Sequence, residues 1–291
     1  MPLDESFYSL DEKELEFMKS QTGIQDEIAL KKHILKAQAG AYVIYPYPCI
    51  RRLLFTKLTL ARVTPGYEQL LKIGKERHNA IFLDIGCCFG NDIRKAIADG
   101  FPIQNIVASD LRRDYWELGH KLFNSTSETF PVPFVAGDAF DPAHLEVVPL
   151  FHSPPDTPAP KLSELTSLNP LHGRVSAIHA SSFFHLFEES EQLYLAKALA
   201  GLLSPEPGSI ILGSHGARPE KGFRAEMLSL NWRGKQMFCH SPESWTELWD
   251  GQVFEKGTVK VEAKLYEVDR NDMPHVANAR FWFMMWSVTR L

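Results

Sequence analysis

Read for the spacing of apolar positions, the chain divides at about residue 75. From residue 79 short apolar runs alternate with amphipathic stretches. The pattern predicts strands at 79–85, 105–110, 132–138 and 174–181. Between them it predicts helices at 90–99 and 112–124, and a short one near 141–148. A helix carrying Leu195, Leu199 and Leu202 on one face follows, then a strand at 209–213. Such alternation implies right-handed crossovers and a parallel sheet covered on both faces. Later, Ser241 can cap a helix that Pro242 opens, and two long strand patterns lie at 258–268 and 280–289. The second, Phe281 to Val288, is so apolar that it is expected between neighbours, buried on both faces. The fold class is therefore α/β, with a seven-stranded, mostly parallel sheet and an antiparallel terminal hairpin.

The first 75 residues read as helical and as a separate cap or substrate lid, with 76–291 as the main domain. One segment opens at Asp11, and Ile24, Ile28 and Leu35 mark a face of a second that Gly40 is expected to stop. Beyond it, Ala41 to Arg52 holds two prolines and is expected to run extended across the mouth of a site. A proline-rich insertion at 151–173 reads as a surface loop.

Chemistry enters where strands end. The first runs into Asp84 and a turn bracketed by Gly86 and Gly90, the second ends at Asp110 and the third at Asp138. Ligands of such sheets bind at the carboxyl ends of the strands, so three carboxylates gather along one rim, the pattern of a nucleoside-cofactor site. Asp110 is placed to accept ribose hydroxyls with Leu111 beside it. Asp138 and Ala139 meet an adenine edge. Gly86, Cys88 and Gly90 let backbone approach the ligand, and Asp84 orders the turn and the cofactor's amino group.

Composition narrows the partners. A net charge of −5 over 291 residues argues against nucleic acid, which is held largely by clustered Lys and Arg. No uncharged apolar run is long enough to span a membrane and the N-terminus lacks a signal-peptide pattern, so a cytoplasmic protein is expected, with a homodimer left open. Four cysteines fall in no zinc-ligand spacing and read as reduced thiols, and no metal is expected.

These parts in this order resemble the class I S-adenosylmethionine-dependent methyltransferases over about 79–291: Asp84, Gly86 and Gly90, then Asp110, then Gly137 to Ala139, then Leu202 to Gly208. The middle glycine of that family's acid-x-Gly-x-Gly-x-Gly turn is Cys88 here. More narrowly, Leu83 to Lys95 with Ser109 to Arg112 is similar to the fungal meroterpenoid-pathway methyltransferases. That resemblance implies S-adenosyl-L-methionine as cofactor, S-adenosyl-L-homocysteine as product, and methyl esterification of a hydrophobic, farnesylated aromatic acid.

A carboxylate acceptor, titrating near about 4, needs no general base, whereas a phenol, near about 10, does. His179, His185, His215 and His240 are the candidates for that base, with His185 and His179 foremost. Tyr42, Tyr45, Tyr47, Arg51 and Arg52 are expected to supply an aromatic wall and a carboxylate clamp. Rival readings are methylation of a phenol or of nitrogen, a nicotinamide oxidoreductase, whose GxGxxG pattern fails at Cys88, and a cofactor-binding scaffold without turnover.

Overall fold

The computed structural model describes residues 2–63, 66–224, 237–268 and 280–291. Among them, seven strands form one sheet in the order β3-β2-β1-β4-β5-β9-β8, and β6 (Gly222–Phe223) pairs with β7 (Phe238–Cys239) in a separate two-stranded ribbon. The parallel strands are β1 (Ile81–Ile85), β2 (Ile106–Asp110), β3 (Phe134–Ala136), β4 (Val175–His179) and β5 (Ile210–Ala217). β9 (Phe281–Arg290) runs antiparallel between β5 and β8 (Val259–Val268), as its apolar composition predicts. Met284, Trp286 and Val288 are fully or almost fully buried there.

β5 is longer than the 209–213 expected. The expected strand ends at Gly213, but β9 pairs onward along Ser214, His215 and Gly216, from Gly213 opposite Trp286 to Gly216 opposite Phe283. Interstrand hydrogen bonds from a long antiparallel neighbour override weak local propensity. The extension carries His215 and Gly216 past the end of β4, onto the rim where ligands bind in such sheets.

Helices cover the sheet. α4 (Gly66–Glu76), α5 (Asn91–Ala98) and α6 (Arg113–Leu122) join one core cluster with β1 and β2, while α7 (Glu189–Leu202) and α8 (Pro242–Trp249) pack in another with β4, β5 and β9. The short helix expected near 141–148 is instead a single turn. Pro142 and the Asp138 and Asp141 carbonyls close it, and the Asn169 side chain then takes the Glu146 N–H, so the chain has no helix to continue.

The N-terminal residues form α1 (Glu12–Thr22), α2 (Glu27–Ile44) and α3 (Pro48–Arg51). Gly40 does not stop α2. A Cβ there would lie 3.3 Å from Leu118 of α6, so the glycine marks where two helices approach closely. The buried face is Leu30, Ile34, Ala37 and Ala41, while Ile28 is 68% exposed. Residues 41–52 are correspondingly not an extended strap. α2 ends at Ile44, Tyr45 to Tyr47 are extended, and Pro48 opens α3, a position where its missing N–H costs nothing.

What the cap rests on matters for the site. Met18, Leu30, Ile34, Leu53 and Phe55 share one apolar cluster with Phe89 of the turn after β1 and with Tyr115 and Leu122 of α6. Phe55 meets Phe89 edge-on at 4.6 Å, and the Asp92 carboxylate of α5 accepts the Leu60 N–H at 3.0 Å. The cap and the glycine turn are thus one packed unit.

Candidate active site

The turn after β1 is held by its own backbone. Gly86 and Cys87 donate to the Ser109 carbonyl at 2.8 and 3.2 Å, fixing the turn to the end of β2. Gly86 and Gly90 adopt φ of +72° and +71°, conformations costly for residues with a Cβ, and Cys88 itself sits at +51°. A Cβ on Gly90 would come within 2.6 Å of Trp116, and one on Gly86 within 3.1 Å of Phe183. The first N–H groups of α5, which starts just past Gly90, have no partner within the helix and no side-chain cap at Gly90.

Asp110 spends only part of its acceptor capacity on the turn. It is half-buried at the end of β2, and its two oxygens accept the N–H groups of Cys88 at 3.0 Å and Arg112 at 2.9 Å. Burial raises its carboxyl above the usual range, an effect these two hydrogen bonds and Arg112 oppose. The remaining lone pairs can accept a diol's hydroxyls. Leu111 beside it is 39% exposed, leaving an apolar surface for a base ring. Asp138 is half-buried and accepts the Phe140 N–H at 3.0 Å, a turn-closing contact, and Ala139 is buried in the main core.

Asp84 has a different environment. It is 2% exposed, and its Oδ1 lies 2.8 Å from His179 Nδ1. The other ring nitrogen, Nε2, lies 2.7 Å from Ser181 Oγ. Burial works against a charge on His179, but Asp84, through charge and hydrogen bond, and then Asp92, raise its pKa above the ordinary value. Asp84 and His179 therefore form a buried brace between β1 and β4, beneath the turn.

The other histidines share a cluster with Trp245 and Trp286, His185 and His215 standing 6.3 Å apart and His215 and Trp245 4.6 Å apart. His185, in the short turn after β4, accepts the Gly216 N–H on Nδ1 at 3.2 Å, and Trp286 Nε1–H donates to His215 Nδ1 at 3.0 Å. A ring nitrogen that accepts an N–H carries a lone pair, so in each neutral ring the hydrogen sits on Nε2. Burial drives all three downward, His185 to about 3, with Arg224 adding repulsion, and His240 to about 4, while His215 falls well below the ordinary value.

The tyrosines and arginines of residues 41–52 separate. The Tyr45 and Tyr47 rings meet at 4.4 Å, tilted by 47°. Arg112 lies over the Tyr45 ring, the Tyr115 hydroxyl donates to the Tyr45 carbonyl at 3.1 Å, and Tyr47 stands close enough to Asp110 for that charge to raise its pKa after burial. This pair borders the cofactor turn. Tyr42 packs half-buried against the cap cluster. Arg51 is turned away under the N-terminal segment, its Nε donating to the Pro2 carbonyl at 2.9 Å and its guanidinium over Phe7 at 4.8 Å, so helical α3 removes it from the mouth. Arg52 is half-buried at the end of α3.

Several residues that shape the rim carry no sequence signal of their own. Phe183 over Gly86, Trp116 against Gly90, and the Ser181 and Ser214 pair at 3.4 Å become neighbours only through strand order. Asp92 could have been singled out as an acid in the first turn of the helix after the glycines.

A Rossmann-like sheet with this strand order, a glycine turn on β1 and an acid at the end of β2 defines the class I methyltransferase architecture. Residues 4–56 match the family model described as the meroterpenoid methyltransferase N-terminal domain. The chain is 33% identical over 218 residues to the Asnovolin E/Chermesin D methyltransferase nvfJ of Aspergillus novofumigatus (strain IBT 16806), covering 75% of this chain and 68% of that protein. It is also 33% identical over 219 residues to the O-methyltransferase phiE of Fungal sp. (strain ATCC 74256), covering 75% of this chain but 63% of that longer protein. Among solved structures, a Burkholderia thailandensis 1,6-didemethyltoxoflavin-N1-methyltransferase with bound S-adenosylhomocysteine aligns over 89% of each chain, with 15% identity and a TM-score of 0.49. The chain belongs to the family of fungal meroterpenoid methyltransferases, whose cofactor is S-adenosylmethionine. Among the described residues no helix is long and apolar enough to cross a membrane.

Proposed function

We propose that this chain is an O-methyltransferase that esterifies the carboxylate of a hydrophobic aromatic acid, farnesylated as a meroterpenoid intermediate is. One observation carries the choice of acceptor: none of the four histidines that could deprotonate a phenol is available as a base. His185 and His215 spend Nδ1 on N–H donors, and burial keeps both rings neutral. His240 bonds Ser244 in a buried pocket, and His179 is held between Asp84 and Ser181. A carboxylate arrives ionised and asks for no base.

Asp110 and the N–H groups before α5 would hold the ribose and methionine parts, Leu111 and the loop at Asp138 the adenine, and Tyr45 with Tyr47 the outer wall. When bound, S-adenosylmethionine supplies a sulfonium-activated methyl group that a carboxylate oxygen can attack directly. The protein's task is then to hold the attacking oxygen about 3 Å from that carbon, in line with the breaking bond, and to exclude water. Phe183, packed on Gly86, and Phe187, 5.5 Å from it, give the acceptor side an apolar floor. The cap, joined to the turn through Phe89, would close over it.

The test is methyl transfer from radiolabelled donor to a farnesylated dihydroxybenzoic acid, followed across pH. With a carboxylate acceptor kcat/KM stays flat from mildly acidic to mildly basic pH and the label becomes base-labile, as an ester. A rate that climbs with pH into a base-stable ether would replace the carboxylate by a phenol.

A further inference from the structure

The rim of β5 holds a charged group beside His185, the guanidinium of Arg224. Arg224 follows β6, its backbone N–H bonded to the Met237 carbonyl at 3.0 Å so that the ribbon fixes where its side chain starts. A Cβ on Gly216 would lie 2.9 Å from Arg224 Nη2 and 3.6 Å from His185 Cγ. Guanidinium and imidazole therefore flank one backbone point, where an added methyl would push the guanidinium tip aside but meet the imidazole at ordinary contact distance. Arg224 is half-buried, and no carboxylate of the described residues pairs with it, although this chain has 36 acids to 31 Lys and Arg. A guanidinium partly withdrawn from water, with no carboxylate partner among the described residues, is a favourable place for an anion.

The imidazole beside it is oriented for the same visitor. Because Gly216 N–H occupies Nδ1, His185 presents Nε2–H as a donor. The Phe283 ring stands 6.4 Å from it, an apolar flank for an aryl group. Guanidinium forks match carboxylate geometry, and a neighbouring neutral N–H adds a third donor without a second charge.

We propose that Arg224 and the Nε2–H of His185 anchor the acceptor's carboxylate at the end of β5, doing there what Arg51, buried under the N-terminus, does not. This assignment rests on the carboxylate reading given above. Arg224 orients the ground-state acid: its fork takes one lone pair of each oxygen, and the oxygen facing the donor keeps a second lone pair for attack.

Calorimetry on the full chain saturated with S-adenosylhomocysteine tests it, with a farnesylated dihydroxybenzoic acid and its primary carboxamide as probes. The wild type binds the acid about tenfold or more tightly than the amide. In Arg224→Met the acid falls to the level of the amide, while the affinities for amide and for S-adenosylhomocysteine stay put. Arg224→Lys recovers part of the preference, since it keeps the charge without the fork. Gly216→Ala, whose methyl displaces the guanidinium, loses the preference by a second route and keeps the test alive if the Met variant does not fold. An acid preference that survives in both Arg224→Met and Gly216→Ala overturns the anchor alone. No preference in the wild type overturns the carboxylate reading as well.

Discussion

Asp110 is asked to do two things with one carboxylate. It accepts the Cys88 and Arg112 N–H groups, and in the proposed function it also takes the ribose hydroxyls. Asp110→Asn keeps the shape but replaces one acceptor by an NH2 group, which meets the Cys88 or the Arg112 N–H donor to donor. Affinity for S-adenosylhomocysteine should then fall by about tenfold or more, roughly 1.4 kcal/mol, measured by calorimetry. An unchanged dissociation constant would take Asp110 out of the cofactor site. Cys88 makes the turn's tolerance visible: a residue with a side chain occupies a left-handed position at +51°, a cost of about 1–2 kcal/mol, and its side chain packs against the cap cluster in return.

At the scale of elements, α5 connects the pieces. Its Asp92 holds the Leu60 N–H of the cap while facing the Asp84 and His179 brace. Burial, helped by Asp84 and opposed by His179, pushes Asp92 up to about 6 from an ordinary 3.8. A carboxyl raised in the folded state binds more protons than it does unfolded between those values, so its contribution is full below about pH 4 and lost as pH rises through 6. His179, also raised, continues the same trend above 6.5. Melting temperature in the wild type should therefore decline from pH 4 to 6 relative to Asp92→Asn, and parallel curves for the two proteins would refute the assignment.

The elements also show what a sequence can disclose. Strands β1 to β4, the turn and its acids were legible because each is written locally, in apolar runs that end in an acid or glycine. The insertion of β9 was legible because Phe281 to Val288 is apolar on both faces. The continuation of α2 through Gly40, the length of β5 and the direction of Arg51 were not, since each depends on a distant neighbour: Leu118, β9 and the Pro2 carbonyl respectively. For the same reason His185 reads as a base in sequence and as a hydrogen-bond donor once Gly216 is seen beside it.

Taken whole, the molecule stores its cofactor geometry partly in the cap. Ile34 is fully buried in the cluster that includes Phe89 of the turn. Ile34→Ala should cost about 2–5 kcal/mol in unfolding free energy and, because the turn leans on that cluster, should also weaken S-adenosylhomocysteine binding although Ile34 touches no ligand group. Denaturant melts and calorimetry read the two effects separately. A stability loss with undiminished binding would show that the turn stands without the cap.

The position of β9 has a consequence for how the chain is made. On a ribosome adding about 5–20 residues per second, β5 and β8 both emerge before the strand that joins them, and the edge of β5 waits for seconds. During that interval an apolar ladder with unpaired amides is open to any other strand. Yield in a heterologous host should therefore depend on chaperone supply and on translation speed through the stretch before Phe281 more than on the stability of the finished enzyme.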